Sequence, residues 1–234
     1  MAISVDRDCG KETRKVRIMT KIAVVYFSQY RGHTEVLADY IRKGADSVGG
    51  VTVVVVSVEE VEDHWNDLHQ ADAIVFGTPT YVGSIAAKFK EFIEKLAGEV
   101  WLKRVWTGKL AGGFTCSAGQ SGDKLNCLQQ LVVFAAQMGM IWVSVPVLGG
   151  KYSSKGGDND INRLGGYIGV MAQANIDEGP DTAPPQSDRA TAEIYGAHIA
   201  KTARELCEGR KVLQSGTQAT FEGRPKNLTE TFGG

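Results

Sequence analysis

Residues 26–37 read YFSQYRGHTEVL. The stretch starts as the end of a hydrophobic strand and finishes as the start of an amphipathic helix, with a turn of hydroxyls, an amide and one glycine between them. Upstream, IAVVYF (22–27) is short, β-branched and nearly continuous in apolar residues, as expected of a strand covered on both faces. Downstream, Leu37, Ile41 and Val48 recur at helical spacing. A strand that turns through a polar loop straight into a helix is half of a parallel crossover unit, so the rest of the chain should repeat it.

It does. Apolar runs at Val51–Val58, Ala73–Phe76 and Ile141–Leu148 resemble the first, and KLAGGFT (109–115) is a weaker fifth. Between them lie helical periods at Val58, Val61, Trp65 and Leu68, at Ile85, Phe89, Phe92, Ile93 and Leu96, and at Leu125, Leu128, Val132 and Ala135. A last helix over 188–208 carries Ile194, Ile199, Ala203 and Leu206, with Ser187 or Asp188 as its cap. This alternation argues an α/β, doubly wound parallel sheet with helices on both faces.

Two regions break the rhythm. From Gly149 to Ser187 a run rich in Gly, Asn, Asp and Pro separates the last strand from the last helix, too long for an ordinary connection, so a functional excursion is expected there. Its motif NRLGGYIGVMAQ (162–173) mixes apolar and small residues as solvated linkers rarely do. After Arg210 periodicity ends. The expected organisation is a flexible leader (1–20), one domain (21–210) and a C-terminal extension (211–234).

A chain of 234 residues, 43% hydrophobic and 23% charged, can bury a full core. With 26 basic against 27 acidic side chains its net charge is −1, which supplies no general field for nucleic acid or an anionic membrane, and neither is expected as a partner. Cys9, Cys116, Cys127 and Cys207 follow no disulfide or metal-ligand spacing, so reduced thiols in a cytoplasmic protein are expected. The charged N-terminus has no apolar core of a signal peptide, and the run 131–150 is broken by Gln137, Gly139, Ser144 and Pro146.

In a sheet of this kind, ligands sit outside the carboxyl ends of the strands at the switch in strand order. Three turns there carry unusual residues. The first, Ser28 to Thr34, offers backbone N–H groups, hydroxyls and Gly32 before a helix N-terminus, parts that suit a phosphate monoester. That Ser28 and Thr34 merely cap the helix remains the alternative. Neither G-x-G-x-x-G nor G-x-x-x-x-G-K-[ST] is present. The second, GTPTYVGS (77–84), puts a rigid proline, an aromatic and glycine after the third strand, a setting for a planar heteroaromatic ligand. The third, TCSAGQSGD (115–123), is a loop of small residues whose amides can line a ring edge, with Asp123 placed to cap the next helix.

Together these turns resemble the flavodoxin-like NAD(P)H-dependent FMN reductases and quinone oxidoreductases, including the tryptophan-repressor-binding-protein relatives. FGTPTYVGS, KFKEFIEKL, SGDKLNCLQQL and GMIW carry the resemblance, which runs from about Lys21 to Gly209. It implies a five-stranded parallel sheet of order 2-1-3-4-5 with a long insertion before the last helix. It implies FMN as cofactor, NADH or NADPH as co-substrate, a quinone or similar acceptor, and a homo-dimer or homo-tetramer. On the matching positions, Ser28, Gln29, Tyr30, Arg31, Gly32, His33 and Thr34 would hold the phosphate. Pro79, Thr80, Tyr81, Val82 and Gly83 would flank the ring. Ser117, Ala118, Gly119, Gln120, Ser121, Gly122 and Asp123 would line the ribityl chain and pyrimidine edge. No acid–base residue and no metal are expected, because the flavin carries the chemistry.

This chain departs from the pattern twice. Arg31 is an extra residue in the first turn, and Met138 in AQMGM stands where relatives often carry an imidazole. His64 and His69 read as surface residues, and Cys116 as a small buried thiol near the ring. Two other functions compete: a one-electron carrier of the flavodoxin type, and an FMN-binding regulatory protein with little turnover.

Overall fold

A computed structural model describes residues 19–29 and 32–214. Tyr30 and Arg31, most of the expected leader and all but the first four residues of the expected extension lie outside the described residues. The elements run β1 (Thr20–Tyr26), α1 (His33–Asp46), β2 (Val51–Ser57), α2 (Trp65–Gln70), β3 (Ala73–Tyr81), β4 (Ser84–Ile85), α3 (Ala87–Lys95), α4 (Glu99–Leu102), β5 (Leu110–Ser117), α5 (Lys124–Gln137), β6 (Ile141–Trp142), β7 (Val170–Gln173) and α6 (Gln186–Gln214). The sheet order is β2-β1-β3-β5-β6, with β7 also on β5 and the short return β4 on β3. Leaving out β4, this is the 2-1-3-4-5 parallel sheet that the sequence implies.

Both faces of the sheet are covered, so successive strand residues alternate between two cores. Ile22, Val24 and Val75 point to a layer built by α1 and α6 through Leu37, Ile41, Tyr195 and Ile199. Ala23, Val25 and Phe76 point to the other, with Phe89 and Phe92 of α3 and Leu128, Leu131 and Phe134 of α5. Each fully buried Val, Leu, Ile or Phe among them contributes about 1.5–3 kcal/mol. Where α1 crosses α6 the backbones themselves meet. A Cβ on Gly44 would lie 1.8 Å from the Glu193 carbonyl oxygen, and one on Gly196 would lie 2.0 Å from that of Ile41.

The fifth strand differs from the expected run Ile141–Leu148. Only Ile141–Trp142 pairs with β5, opposite Leu110 and Ala111; the upper half of the position is filled by Val170–Gln173, opposite Phe114 to Ser117. The insertion therefore opens inside the last strand as well as before the last helix. On this edge of β5, away from β3, no strand among the described residues pairs with Gly112 and Gly113, and Tyr195 of α6 fills the break. Its hydroxyl donates to the Val143 carbonyl (2.6 Å) and accepts from the Gly113 N–H (3.2 Å). Glycine at 112 makes this possible, since a Cβ there would sit 2.6 Å from the tyrosine oxygen.

Several local expectations are corrected. β3 runs on through Tyr81, so Pro79 and Thr80 are strand residues rather than turn residues. Ser187 and Asp188 lie inside α6, and neither caps it: Ser187 Oγ donates to the Asp158 carbonyl (2.8 Å), and Asp188 is engaged by Arg163. In α5 the buried face starts at Lys124 and continues through Cys127, Leu128 and Leu131, while Leu125 is 52% exposed. His69 is half-buried rather than free at the surface, its Nδ1 accepting from the Trp106 indole at 3.2 Å.

Candidate functional site

The carboxyl ends of β1, β3 and β5 meet where strand order switches between β1 and β3, and a cleft of about 620 Å³ opens there. The size falls within the roughly 300–1,000 Å³ of small-molecule sites. The first turn supplies Gln29, His33 and Thr34; β3 supplies Pro79 and Tyr81; β5 and its loop supply Cys116, Ser117 and Ala118. A fourth wall comes from the run after β7, through Ala174 and Ile176.

The first turn is shaped by Gly32, which precedes α1 at φ 73, a left-handed conformation with no side-chain cap. Behind it the first-turn N–H groups of α1 have no partner within the helix. Ser28 is half-buried and its Oγ accepts from the Glu35 N–H at 3.3 Å, a bond that leaves its own hydroxyl proton to donate elsewhere. Thr34 is 2% exposed and faces the cleft. His33 Nε2 lies 2.9 Å from the Glu178 carbonyl, to which it donates, tying the first turn to the insertion.

The second turn is reduced to Val82 and Gly83, a two-residue hairpin in which Tyr81 pairs with Ser84 and Thr80 with Ile85. Both central residues have positive φ, 48 and 77, as the twist of such hairpins requires. For a β-branched valine, fully exposed, this is a strained place. Thr80 points away from the cleft, its hydroxyl bonded to that of Thr115 at 2.7 Å in the core, so only its backbone can serve the site. From α5, Asn126 Nδ2 braces the turn by donating to the Gly83 carbonyl at 2.7 Å.

The third loop closes on itself. Gly122 and Asp123 are both left-handed, and Asp123 stands at the N-cap of α5 without making the expected side-chain cap. The carbonyls of Gly119 and Gln120 are held from inside by the Lys124 ammonium. Ser117 Oγ donates to the Gly119 carbonyl (3.4 Å), and Ser121 accepts from the Lys124 N–H (3.3 Å). Cys116, 3% exposed beneath this loop, has its thiol pushed up to about 12 by burial.

The insertion is pinned beside the cleft. Arg163 forms a two-pronged ion pair with Asp188 (2.8 and 2.9 Å), both nearly inaccessible, and Asp188 also accepts from the Gln173 N–H at 2.9 Å. Arg189 donates to the carbonyls of Pro184 (2.6 Å) and Pro180 (2.7 Å), fixing the run that carries Ile176. Ala174 and Ile176 were not singled out in the sequence; the only signal is their position just past NRLGGYIGVMAQ. Met138 is elsewhere. It follows the last residue of α5, about 20 Å of helix from the third loop, in a second groove with Ile93, Trp101, Val133 and Phe134.

A family model described as NADPH-dependent FMN reductase matches residues 20–153. The chain is 37% identical to flavodoxin FldP of Pseudomonas aeruginosa, over 80% of this chain and 99% of that protein. It is 29% identical to an NAD(P)H dehydrogenase (quinone) of Paracoccus denitrificans, over 82% of this chain and 98% of that one. Among solved structures it is similar to a flavodoxin, WrbA-like protein from Agrobacterium tumefaciens, with a TM-score of 0.60, 36% identity, and 80% of this chain and 98% of that chain covered.

Proposed function

This chain belongs to the NADPH-dependent FMN reductase family, and from that premise we propose that it binds FMN in the cleft, accepts hydride there from NADH or NADPH, and passes the electrons to a quinone. One observation carries the reading: a single cleft joins a left-handed glycine turn at a helix N-terminus to Pro79, Tyr81 and a small-residue loop. FMN, when bound, supplies reversible two-electron chemistry.

The residues present fit that group. The donor set at the first turn is the α1 N-terminus with the Ser28 and Thr34 hydroxyls, suited to one phosphate. Tyr81 offers an aromatic face, while Ser117 and Ala118 leave room for a flat ring and a nicotinamide stacked about 3–3.5 Å away. Ile176, 80% exposed on the fourth wall, offers an apolar surface that a bound flat ring would cover. Holding and orienting are the tasks of the protein; no side chain needs to move a proton.

The acceptor is inferred to be a quinone because several relatives are named NAD(P)H dehydrogenase (quinone). A homo-dimer or homo-tetramer is the proposed assembly, supported by the groove of about 610 Å³ between α3 and α5, which is lined in part by the exposed Val133. Reduced Cys116, Cys127 and Cys207 fit a cytoplasmic setting. Steady-state oxidation of NADH and NADPH with a quinone tests the proposal; turnover with neither nucleotide would contradict it.

A second reading, a one-electron carrier, is favoured by the relative named flavodoxin FldP. It requires a flavin that dithionite reduces and nicotinamide nucleotides do not.

A further inference from the structure

A lysine that is 0% exposed opens α5, directly behind the third loop. Fully buried lysines are rare, because the ammonium loses its hydration. This one also stands in the first turn of a helix, where the backbone dipole opposes a positive charge. Local rules are thus broken twice at one residue, as happens where function rather than stability sets the choice.

Its surroundings show what it does to the loop. The Lys124 Nζ donates to the carbonyls of Gly119 and Gln120, the latter at 3.2 Å. Gly122, at φ 54, leaves room for this arrangement, since a Cβ there would lie 3.0 Å from Nζ and 2.2 Å from Ser117 Oγ. A trans peptide sets its N–H opposite its C=O. With both carbonyls turned inward to the ammonium, the N–H groups of Gln120 and Ser121 are directed to the opposite, open side of the loop, where both residues are exposed.

Among the described residues no carboxylate forms an ion pair with this ammonium. Asp188 acts on Lys124 through space but is held by Arg163 in its two-pronged pair. Cys116, which lines the cleft, feels the same ammonium, as its through-space influence on that thiol shows. Burial pulls the Lys124 ammonium below its usual range, while Cys116 and Asp188 act through space in the opposite direction, toward the charged form.

Resting on the FMN reading above, we propose that Lys124 is a positioning residue for the flavin: it fixes the outward N–H groups of the third loop and sets a positive charge behind the cleft wall that favours reduced FMN. Hydride transfer delivers two electrons and one proton, so the ring gains one negative charge, which departs when the acceptor takes the electrons. A fixed cation in a poorly hydrated wall therefore stabilises the reduced state more than the oxidised one.

The test compares FMN-loaded wild type with Lys124→Gln, Lys124→Met and Lys124→Arg. Two quantities are read: oxidised FMN affinity by fluorescence titration, and the two-electron midpoint potential by dye equilibration. Lys124→Gln keeps a donor and loses the charge. It should bind oxidised FMN within about threefold of wild type while its preference for reduced FMN falls about tenfold, a drop of about 30 mV for a two-electron couple. Lys124→Met should lose affinity as well, and Lys124→Arg should keep the wild-type potential. An unchanged potential in Lys124→Gln overturns the inference. Should that variant hold no FMN, Lys124→Arg decides: FMN bound at wild-type potential supports the role of charge, and loss of FMN there too overturns it. A wild type that binds no FMN overturns the FMN reading and this inference with it, whereas normal wild-type binding with an unaltered Gln variant overturns this inference alone.

Discussion

At the scale of single residues, the site combines ordinary chemistry with a few unusual placements. Thr34 lines the cleft at the first turn, and if it holds the phosphate as proposed, Thr34→Val should weaken FMN binding about tenfold, as expected for losing one hydrogen bond to a charged group; unchanged affinity by fluorescence titration would remove Thr34 from the proposed phosphate site. Val82 is exposed at φ 48, and Val82→Asn should stabilise the apoprotein by about 1 kcal/mol in urea unfolding, because asparagine tolerates this conformation better. A destabilised variant would mean that the valine packs against something in solution. Cys116 has its thiol raised from an ordinary 9.0 to about 12 by burial. A raised folded-state value means the stabilisation is fully present below pH 9 and is lost as pH climbs toward 12. Cys116→Ala should therefore unfold with a shallower loss of stability between pH 8 and pH 10.5 than wild type, and a parallel loss in both would contradict the burial account. Residue types at the cleft were legible in the sequence because strand ends and turn residues can be counted. Lys124 was not: apolar periodicity chose Leu125 as the inward residue, and the burial of a charged side chain violates the rule on which that choice rests.

At the scale of elements, the strands and most helices were legible because continuous β-branched runs and 3.6-residue periods leave few alternatives. The broken fifth strand was not, since Val143 to Leu148 is as strand-like in composition as Ile141 and Trp142. What ends the pairing is the tyrosine of a distant helix, which takes the Val143 carbonyl and the Gly113 N–H for itself. Tyr195→Phe would leave both groups buried and unpaired, and should cost about 1–3 kcal/mol in urea unfolding; an unchanged midpoint would show that water or a shifted strand satisfies them. The contact of α1 with α6 depends on glycine in the same way. Gly196→Ala places a methyl against the Ile41 carbonyl and should cost about 1–3 kcal/mol or more through forced separation of the helices. Neither glycine was identifiable from the sequence, where each reads only as a weak spot in a helix.

At the scale of the molecule, a sheet of order 2-1-3-4-5 brings three loops, far apart in sequence, to one edge, and the insertion supplies a fourth wall. The position of the cleft follows from topology, which the alternation of strands and helices made legible. The fourth wall does not, because Ala174 and Ile176 owe their place to the Arg163–Asp188 pair and to Arg189 rather than to any local pattern. The central claim is that this cleft holds FMN for two-electron exchange with a nicotinamide nucleotide. Anaerobic mixing of the FMN-loaded protein with NADH or NADPH, followed by flavin absorbance, tests it most directly. The expected result is bleaching by at least one nucleotide and recovery of the oxidised spectrum when a quinone is added; a flavin bleached by dithionite but by neither nucleotide would contradict it.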